Sequence, residues 1–255
     1  FETVQAGTGV TVNMDHLSGI TGIKLNGNAT FQNLTETQAG AITLLASSTP
    51  TLSLKTNTGA DKAVIEANDG LVTTGTLTLT APVLTGFEQL VLNATDNLTV
   101  TTLASSTALT SVQLKGAGSI NLTTGVMPSL TSIDGSQATG NLTLSATTMT
   151  VGLTMTGGSG FDSLSGTTKA DTFTGGAGQN RFIFATKSTG TPSATNFDTI
   201  TDFRAGTGNI IDHGTAITVS SSGNGIAGQA FISASGVAGF HAADDTLQEQ
   251  ITAVA

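Results

Sequence analysis

Three consecutive nine-residue units between Gly157 and Ile183 constrain the fold of this chain more than any other feature. In order, they are GGSGFDSLS, GTTKADTFT and GGAGQNRFI. The first unit follows the pattern G-G-x-G-x-D-x-U-x, where U is an apolar residue, at every defined position. Glycines at fixed places permit tight left-handed turns, and the apolar residue near the end of each unit points into a coil. The period therefore predicts a short parallel β-roll over residues 157–183.

The candidate functional groups of this block are the pattern glycines and the residue at the sixth position of each unit. In chain order they are Gly157, Gly158, Gly160, Asp162, Asp171, Gly175, Gly176, Gly178 and Asn180. Two nine-residue units make one coil of a parallel β-helix, so the first and third units are expected to stack on the same edge.

The chemistry expected at this edge is calcium binding. Backbone carbonyls of the two stacked turns, with the side-chain oxygens of Asp162 and Asn180, would supply hard oxygen ligands at the tolerant angles that Ca²⁺ accepts. Because Asn180 is neutral, we expect weaker binding than at a pair of aspartates. The alternative is a glycine-rich turn cluster without an ion.

Two further carboxylates follow the repeats. In the segment FDTITDF, Asp198 and Asp202 are four residues apart in an extended pattern, so both are predicted on one face. The middle turn, with Asp171, lacks a partner within the block, and these aspartates are the nearest candidates to complete a calcium site there. A solvated polar face is the alternative.

Residues 1–156 are rich in threonine and alternate between apolar and polar residues, as in Thr76–Thr80 (TLTLT), which indicates β-strands. Short motifs recur: Phe-Glu-x-[Val/Leu] begins at Phe1 and Phe87, and Leu-Thr-Ser-[Val/Ile] begins at Leu109 and Leu130. The last two copies lie about twenty residues apart, a spacing typical of solenoid coils. We predict a loose Thr/Gly-rich β-solenoid, with a β-sandwich as the alternative.

The composition excludes several classes of function. Charged residues make up only 10% of the chain and the formal net charge is −9, which argues against binding to nucleic acid or an anionic membrane surface. The absence of cysteine excludes disulfides and thiolate metal sites, so calcium is the expected staple of an exported chain. No run of about 18 apolar residues occurs, and no membrane span is expected.

The region after the repeats changes character. Residues 184–196 are polar and predict a loop, and residues 184–255 as a whole predict a small C-terminal β region. Within it, Leu247, Ile251 and Val254 follow the spacing of an amphipathic terminal helix. The predicted organisation is therefore all-β, with a repeat region at 1–156, a calcium-binding block at 157–183 and a C-terminal region at 184–255.

With these motifs, the chain resembles the RTX (repeat-in-toxin) proteins of type I secretion. The Thr-rich array with its Phe-Glu motifs, followed by a short nonapeptide block, resembles surface-layer (S-layer) proteins of the Caulobacter type. The segment that begins at Asp198 resembles the D-x-I-x-D-F element that follows the repeats in many RTX proteins, serralysin-type proteases included. The block is short, two of its units are degenerate, and Asn209 stands where the family usually has an acidic residue.

The resemblance implies export through a type I channel, folding outside the cell in calcium, and assembly into a two-dimensional calcium-dependent lattice at the cell surface. A cell-surface polysaccharide would be a partner through a region outside this chain. The alternative function is the calcium-stabilised C-terminal module of an RTX protease, lipase or adhesin.

No enzymatic activity is expected of the chain itself. Neither H-E-x-x-H nor G-x-S-x-G occurs, and His16, His213 and His241 are far apart in sequence. The chain contains no Trp or Tyr, so no aromatic platform supports the adhesin alternative. A structural, lattice-forming protein is the function that the sequence favours.

Overall fold

The computed structural model describes residues 2–71, 75–184, 198–203, 208–213, 230–232 and 238–240. The chain divides into two compact units. The first comprises residues 1–185 together with 198–212, and the second comprises residues 186–197 together with 213–255. The loop predicted at 184–196 does not begin at Phe184, which is the last residue of the strand Arg181–Phe184. Residues 185–196 and the predicted terminal helix at 242–255 lie outside the described residues.

The regular secondary structure of the described residues is almost entirely β-strand, as alternating apolar and β-branched sequence favours. In chain order the first strands are β1 Glu2–Gly7, β2 Val10–Asn13, β3 Ile20–Asn26, β4 Ala29–Leu34, β5 Ile42–Ala46, β6 Thr51–Leu54, β7 Lys62–Ala67, β8 Thr76–Leu79, β9 Val83–Thr85, β10 Gln89–Ala94, β11 Asn97–Val100 and β12 Ser111–Gly116. They continue with β13 Ile120–Thr123, β14 Ser132–Ala138, β15 Leu142–Ser145, β16 Thr154–Thr156, β17 Ser163–Ser165, β18 Thr172–Thr174, β19 Arg181–Phe184, β20 Thr199–Ile200, β21 Ile210–His213, β22 Ala230–Ile232 and β23 Ala238–Phe240.

The first unit is a β-solenoid, which confirms the predicted all-β fold and rejects the β-sandwich alternative. Its ten-stranded sheet has the order β1-β3-β5-β7-β10-β12-β14-β16-β18-β20, and its seven-stranded sheet has the order β21-β19-β17-β15-β13-β11-β8. A third sheet, β2-β4-β6-β9, lies beside the N-terminal strands. The registered pairs in these sheets are parallel, because each coil places its strands on the same strands of the previous coil. In the second unit, β22 and β23 pair antiparallel.

The repeated sequence motifs occupy equivalent positions in successive coils. Gln89 of β10 pairs with Ser111 of β12, and Ser111 pairs with Ser132 of β14. The residues just before these strands, such as Glu88 and Thr110, therefore stack on one another, and Thr110 Oγ1 donates a hydrogen bond to the Glu88 carbonyl (3.0 Å). The period of the motifs is thus the length of one coil.

The core is a column of apolar side chains between the sheets. Leu144, Leu164 and Phe182 are in register in the seven-stranded sheet, as are Met155 and Phe173 in the ten-stranded sheet, and all five are buried. The rings of Phe173 and Phe182 meet edge to face with centroids 6.0 Å apart. Each such buried side chain contributes about 1.5–3 kcal/mol.

The apolar periodicity of the repeats is therefore continuous with that of the less regular coils that precede them in the chain. The row of Leu144 and Leu164 continues to Leu122 and Val100 in the preceding coils. The calcium-binding turns are consequently held on a framework that does not consist of the repeats alone.

One short helix was not predicted from the sequence. Helix α1 spans Glu36–Ala39 and begins with a capping box, in which Thr35 Oγ1 accepts from Gln38 N (3.4 Å) and Gln38 Oε1 accepts from Thr35 N (3.0 Å). The Thr-x-x-Gln pattern at residues 35–38 is the sequence signal that could have predicted this capping box. Among the described residues no helix has the length and apolar content needed to cross a membrane.

Candidate metal centre

The three predicted units contribute turns to two different sides of the solenoid. Residues 157–162 and 175–180 lead from the ten-stranded sheet to the seven-stranded sheet, and we call them the forward turns. Residues 166–171 lead back to the ten-stranded sheet, and we call them the return turn.

The two forward turns stack directly on each other, as the nine-residue period predicted. Ser163 pairs with Arg181 in the strands that follow them. Ala177 N donates to the Gly158 carbonyl (2.9 Å), and Asp162 N donates to Asn180 Oδ1 (3.2 Å). The glycines of the first and third units thus lie in two consecutive layers of the same edge.

The carboxylate of Asp162 is the charged group at the centre of this edge. Its side chain is fully buried, and it accepts hydrogen bonds from Gly158 N (2.6 Å) and from Leu142 N of the preceding coil (2.8 Å). Burial raises the pKa of Asp162, and the two backbone hydrogen bonds oppose that rise. A buried carboxylate without a cationic partner is costly, so the site favours a bound cation.

The glycine that begins the first forward turn has no space for a side chain. A Cβ added at Gly157 would lie 2.4 Å from the Gly175 carbonyl oxygen and 2.6 Å from Asp162 Oδ2. A backbone carbonyl and a carboxylate oxygen therefore converge at a place that a side chain would fill. Carboxylate and carbonyl oxygens are the hard ligands that Ca²⁺ prefers, and the donor set fits this ion.

The return turn is organised around Asp171, which is also buried. Its Oδ1 accepts from Leu153 N (2.8 Å), its Oδ2 accepts from Thr167 N (2.7 Å), and Thr167 Oγ1 lies 3.0 and 3.1 Å from the two carboxylate oxygens. Burial raises the pKa of Asp171, the hydrogen bonds from Leu153 and Thr167 oppose the rise, and the nearby charge of Asp198 adds to it.

The structure separates the two aspartates that follow the repeats. Asp198 lies beside Asp171, because Asp171 N donates to Asp198 Oδ1 (2.9 Å). Asp202 instead lies over a forward turn, where its carboxylate accepts from Gly175 N and Gly176 N (2.8 Å each). Strand β20 is only two residues long, so the four-residue interval carries the chain from one side of the solenoid to the other.

A ladder of side-chain oxygens that the sequence reasoning missed joins successive coils. Asn209 Oδ1 accepts from Asn180 N (2.8 Å), in the same way that Asn180 Oδ1 accepts from Asp162 N. Asn209 therefore continues the ladder although it departs from the acidic residue expected there. An amide oxygen can accept this bond as well as a carboxylate can.

A second missed pair lies far upstream of the repeats. Glu88 Oε2 accepts from Asp61 N (2.9 Å), which is the arrangement of Asp198 on Asp171. Thr58 Oγ1 lies 2.9 Å from the Asp61 carboxylate, as Thr167 Oγ1 lies beside Asp171. The sequence carries no shared signal for the two contacts, because the threonine lies three residues before Asp61 but four residues before Asp171.

No group of three or more Asp, Glu, His or Cys side chains converges within the described residues. Backbone carbonyls must therefore supply most ligands of an ion at the forward turns, with Asp162 as the anionic one. The Arg181 side chain does not compete for Asp162, because it is ion-paired with Asp212.

Comparison with known proteins identifies the repeat block. Residues 156–184 match the family model of the RTX calcium-binding nonapeptide repeat (4 copies). No curated protein and no solved structure matches the chain. RTX repeats bind calcium and are typical of secreted proteins, so residues 156–184 are a calcium-binding repeat block of the RTX type.

Proposed function

We propose that this RTX-type chain is a structural surface-layer protein, which is exported by type I secretion and assembles outside the cell into a calcium-dependent two-dimensional lattice. The observation that carries the proposal is the outer face of the seven-stranded sheet. Five consecutive coils place uncharged polar side chains in one outward row: Thr78, Thr99, Asn121, Thr143 and Ser163.

This face suits repeated side-by-side packing of identical copies. Neighbouring strands are about 4.7–4.9 Å apart, so the row presents a flat, regular array of hydroxyl and amide groups. Small side chains allow two such faces to approach closely, and their hydroxyl groups can both donate and accept hydrogen bonds. The array thus offers contacts between copies without burying unpaired charges.

The charge of the chain explains why assembly would require calcium. A net charge of −9 repels copies of the same chain at low ionic strength. Calcium bound at the forward turns lowers that charge and stabilises the coils that hold the outer face. Submicromolar calcium inside a cell leaves weak sites empty, whereas millimolar calcium outside fills them, so folding and assembly follow export.

The solenoid carries no recognised catalytic arrangement among the described residues. Its shallow concavity of about 470 Å³ lies on the outer face of the ten-stranded sheet, beside Thr3, Gly22 and Glu66. His16 is exposed at the end of a short 3-10 helix, Met14–His16. These features favour a structural protein over an enzyme, and attachment to a cell-surface polysaccharide would use a region outside this chain.

Negative-stain electron microscopy with calcium titrated from chelator to about 10 mM tests the proposal. Ordered sheets that form with calcium and dissolve with chelator are expected. Magnesium at the same concentration is the control for general screening of charge. Calcium-dependent folding without assembly would refute the lattice and favour the alternative, a calcium-stabilised module of an RTX protease, lipase or adhesin.

A further inference from the structure

The repeat block offers two kinds of turn, and they differ in how the buried carboxylate is satisfied. Asp162 in the forward turn accepts two backbone hydrogen bonds. Asp171 in the return turn accepts the equivalent two backbone bonds and, in addition, contacts the Thr167 hydroxyl with both of its oxygens. A carboxylate has roughly four acceptor sites, so this hydroxyl occupies capacity that Asp162 keeps available.

The Thr167 hydroxyl is itself fully engaged. It donates toward the Asp171 carboxylate and accepts from Lys169 N (2.9 Å), and its side chain is fully buried. Thr167 therefore links Lys169, in the middle of the return turn, to Asp171 at its end. A bound cation would link carboxylate and carbonyl oxygens of a turn in a similar way.

The forward turn cannot be closed in this way. Gly158 occupies the position of the first unit that Thr167 occupies in the second, and a Cβ added there would lie 2.2 Å from the Ala138 carbonyl oxygen. The preceding coil thus excludes any side chain, hydroxyl-bearing or not, from this point. No side chain at position 158 can therefore contact the Asp162 carboxylate, whose remaining acceptor capacity is open to a cation.

One residue of the return turn opposes a cation, although Asp198 places a second carboxylate beside Asp171. Lys169 stands at the fourth position of its unit, where the forward turns have Gly160 and Gly178. An exposed ammonium group on the turn lowers the local attraction for Ca²⁺. In addition, the block contains two forward turns that stack on each other but no second nonapeptide return turn to stack on residues 166–171.

We propose that Thr167 closes the return turn in place of a metal ion, so that calcium binding by the repeat block is confined to the forward turns. The two sides of the roll then have different roles. The return turn holds its geometry through hydrogen bonds at any calcium concentration, and the forward turns respond to the ion. This assignment departs from the expectation that Asp171 and Asp198 form a calcium site.

Bound calcium counted by equilibrium dialysis at saturating calcium tests the proposal on the full chain. Asp162→Asn and Asp171→Asn are a matched pair, because each makes the same change at the same position of its unit. We expect Asp162→Asn to lose at least one ion per chain relative to the parent. We expect Asp171→Asn to keep the parent count and to melt at a lower temperature.

Thr167→Val provides a second test that does not alter a carboxylate. It preserves the shape of the side chain and removes the hydroxyl, so we expect an unchanged ion count and a lower melting temperature, in chelator as well as in calcium. Loss of an ion in Asp171→Asn or in Thr167→Val would overturn the proposal. A full ion count in Asp162→Asn would overturn it as well, because calcium binding would then not depend on the carboxylate of the forward turns.

Discussion

Comparing Asp162→Ala with the parent, in chelator and in calcium, separates the hydrogen-bonding role of this carboxylate from its role in binding calcium. The substitution leaves Leu142 N and Gly158 N without their acceptor in a buried turn. Each unsatisfied buried group costs about 1–3 kcal/mol, so the lost bonds amount to about 2–6 kcal/mol with or without calcium. Relief of the buried charge offsets part of this loss in chelator, since burial raises the pKa of Asp162.

The calcium-dependent part of the effect is the decisive quantity. A site with a Kd of about 10⁻⁴ M, as in weak extracellular calcium modules, adds about 2.7 kcal/mol of stability at about 10 mM calcium. The parent should gain this increment between chelator and calcium, and Asp162→Ala should lose most of it. Urea unfolding of both proteins under the two conditions gives the four free energies required.

Asp134→Ala is the matched control for this experiment. Asp134 is a half-buried aspartate of β14 whose carboxylate accepts a local bond from Ser136 N (2.9 Å). It should lower stability slightly and keep the full calcium increment. An equal calcium increment in the parent and in Asp162→Ala would refute the assignment of Asp162 as a calcium ligand.

Two further predictions concern pH and the core. Burial raises the pKa of Asp162 and Asp171 above the unfolded value. The stability of the calcium-free fold should therefore rise as the pH falls from 7 toward about 4, and this gain should be lost as the pH rises through the folded pKa. Urea midpoints in chelator measure this slope, which Asp162→Asn should flatten; an unchanged slope in that variant would contradict the burial argument. Phe182→Ala should cost about 3–5 kcal/mol, because its ring is fully buried against Phe173. The half-exposed Phe161→Ala is the control within the same block and should cost less than about 0.5 kcal/mol, and similar losses for the two variants in thermal unfolding would contradict the core assignment.

Much of the fold could be predicted because the coil length is written directly in the sequence. The nine-residue period fixed which turns stack, and Asp162 and Asn180 are adjacent in the structure as expected. The motif at Leu109 and Leu130 marked coils of about the right length. Apolar residues two apart in short strands are sufficient to predict which side chains face the core.

The parts that could not be predicted depend on contacts between coils of different sequence. The sequence predicts a calcium site at Asp171 that the following aspartates complete, and it does not reveal the hydrogen bond that Thr167 contributes at the place of a missing glycine. The position of Asp202 depends on where β20 ends, and alternation alone cannot locate the end of a strand. The Asp61–Glu88 pair is joined across 27 residues of sequence, so its partners follow only from the register of β7 and β10.

The most direct test of the account is the location of the ion itself. Crystals grown with Tb³⁺ in place of Ca²⁺ would give an anomalous difference map, because terbium scatters anomalously and binds to the same hard oxygen ligands. The account predicts a peak at the forward turns, in contact with the Asp162 carboxylate and with carbonyl oxygens of residues 157–162 or 175–180. Density at the return turn beside Asp171, or the lack of a peak at Asp162, would contradict it.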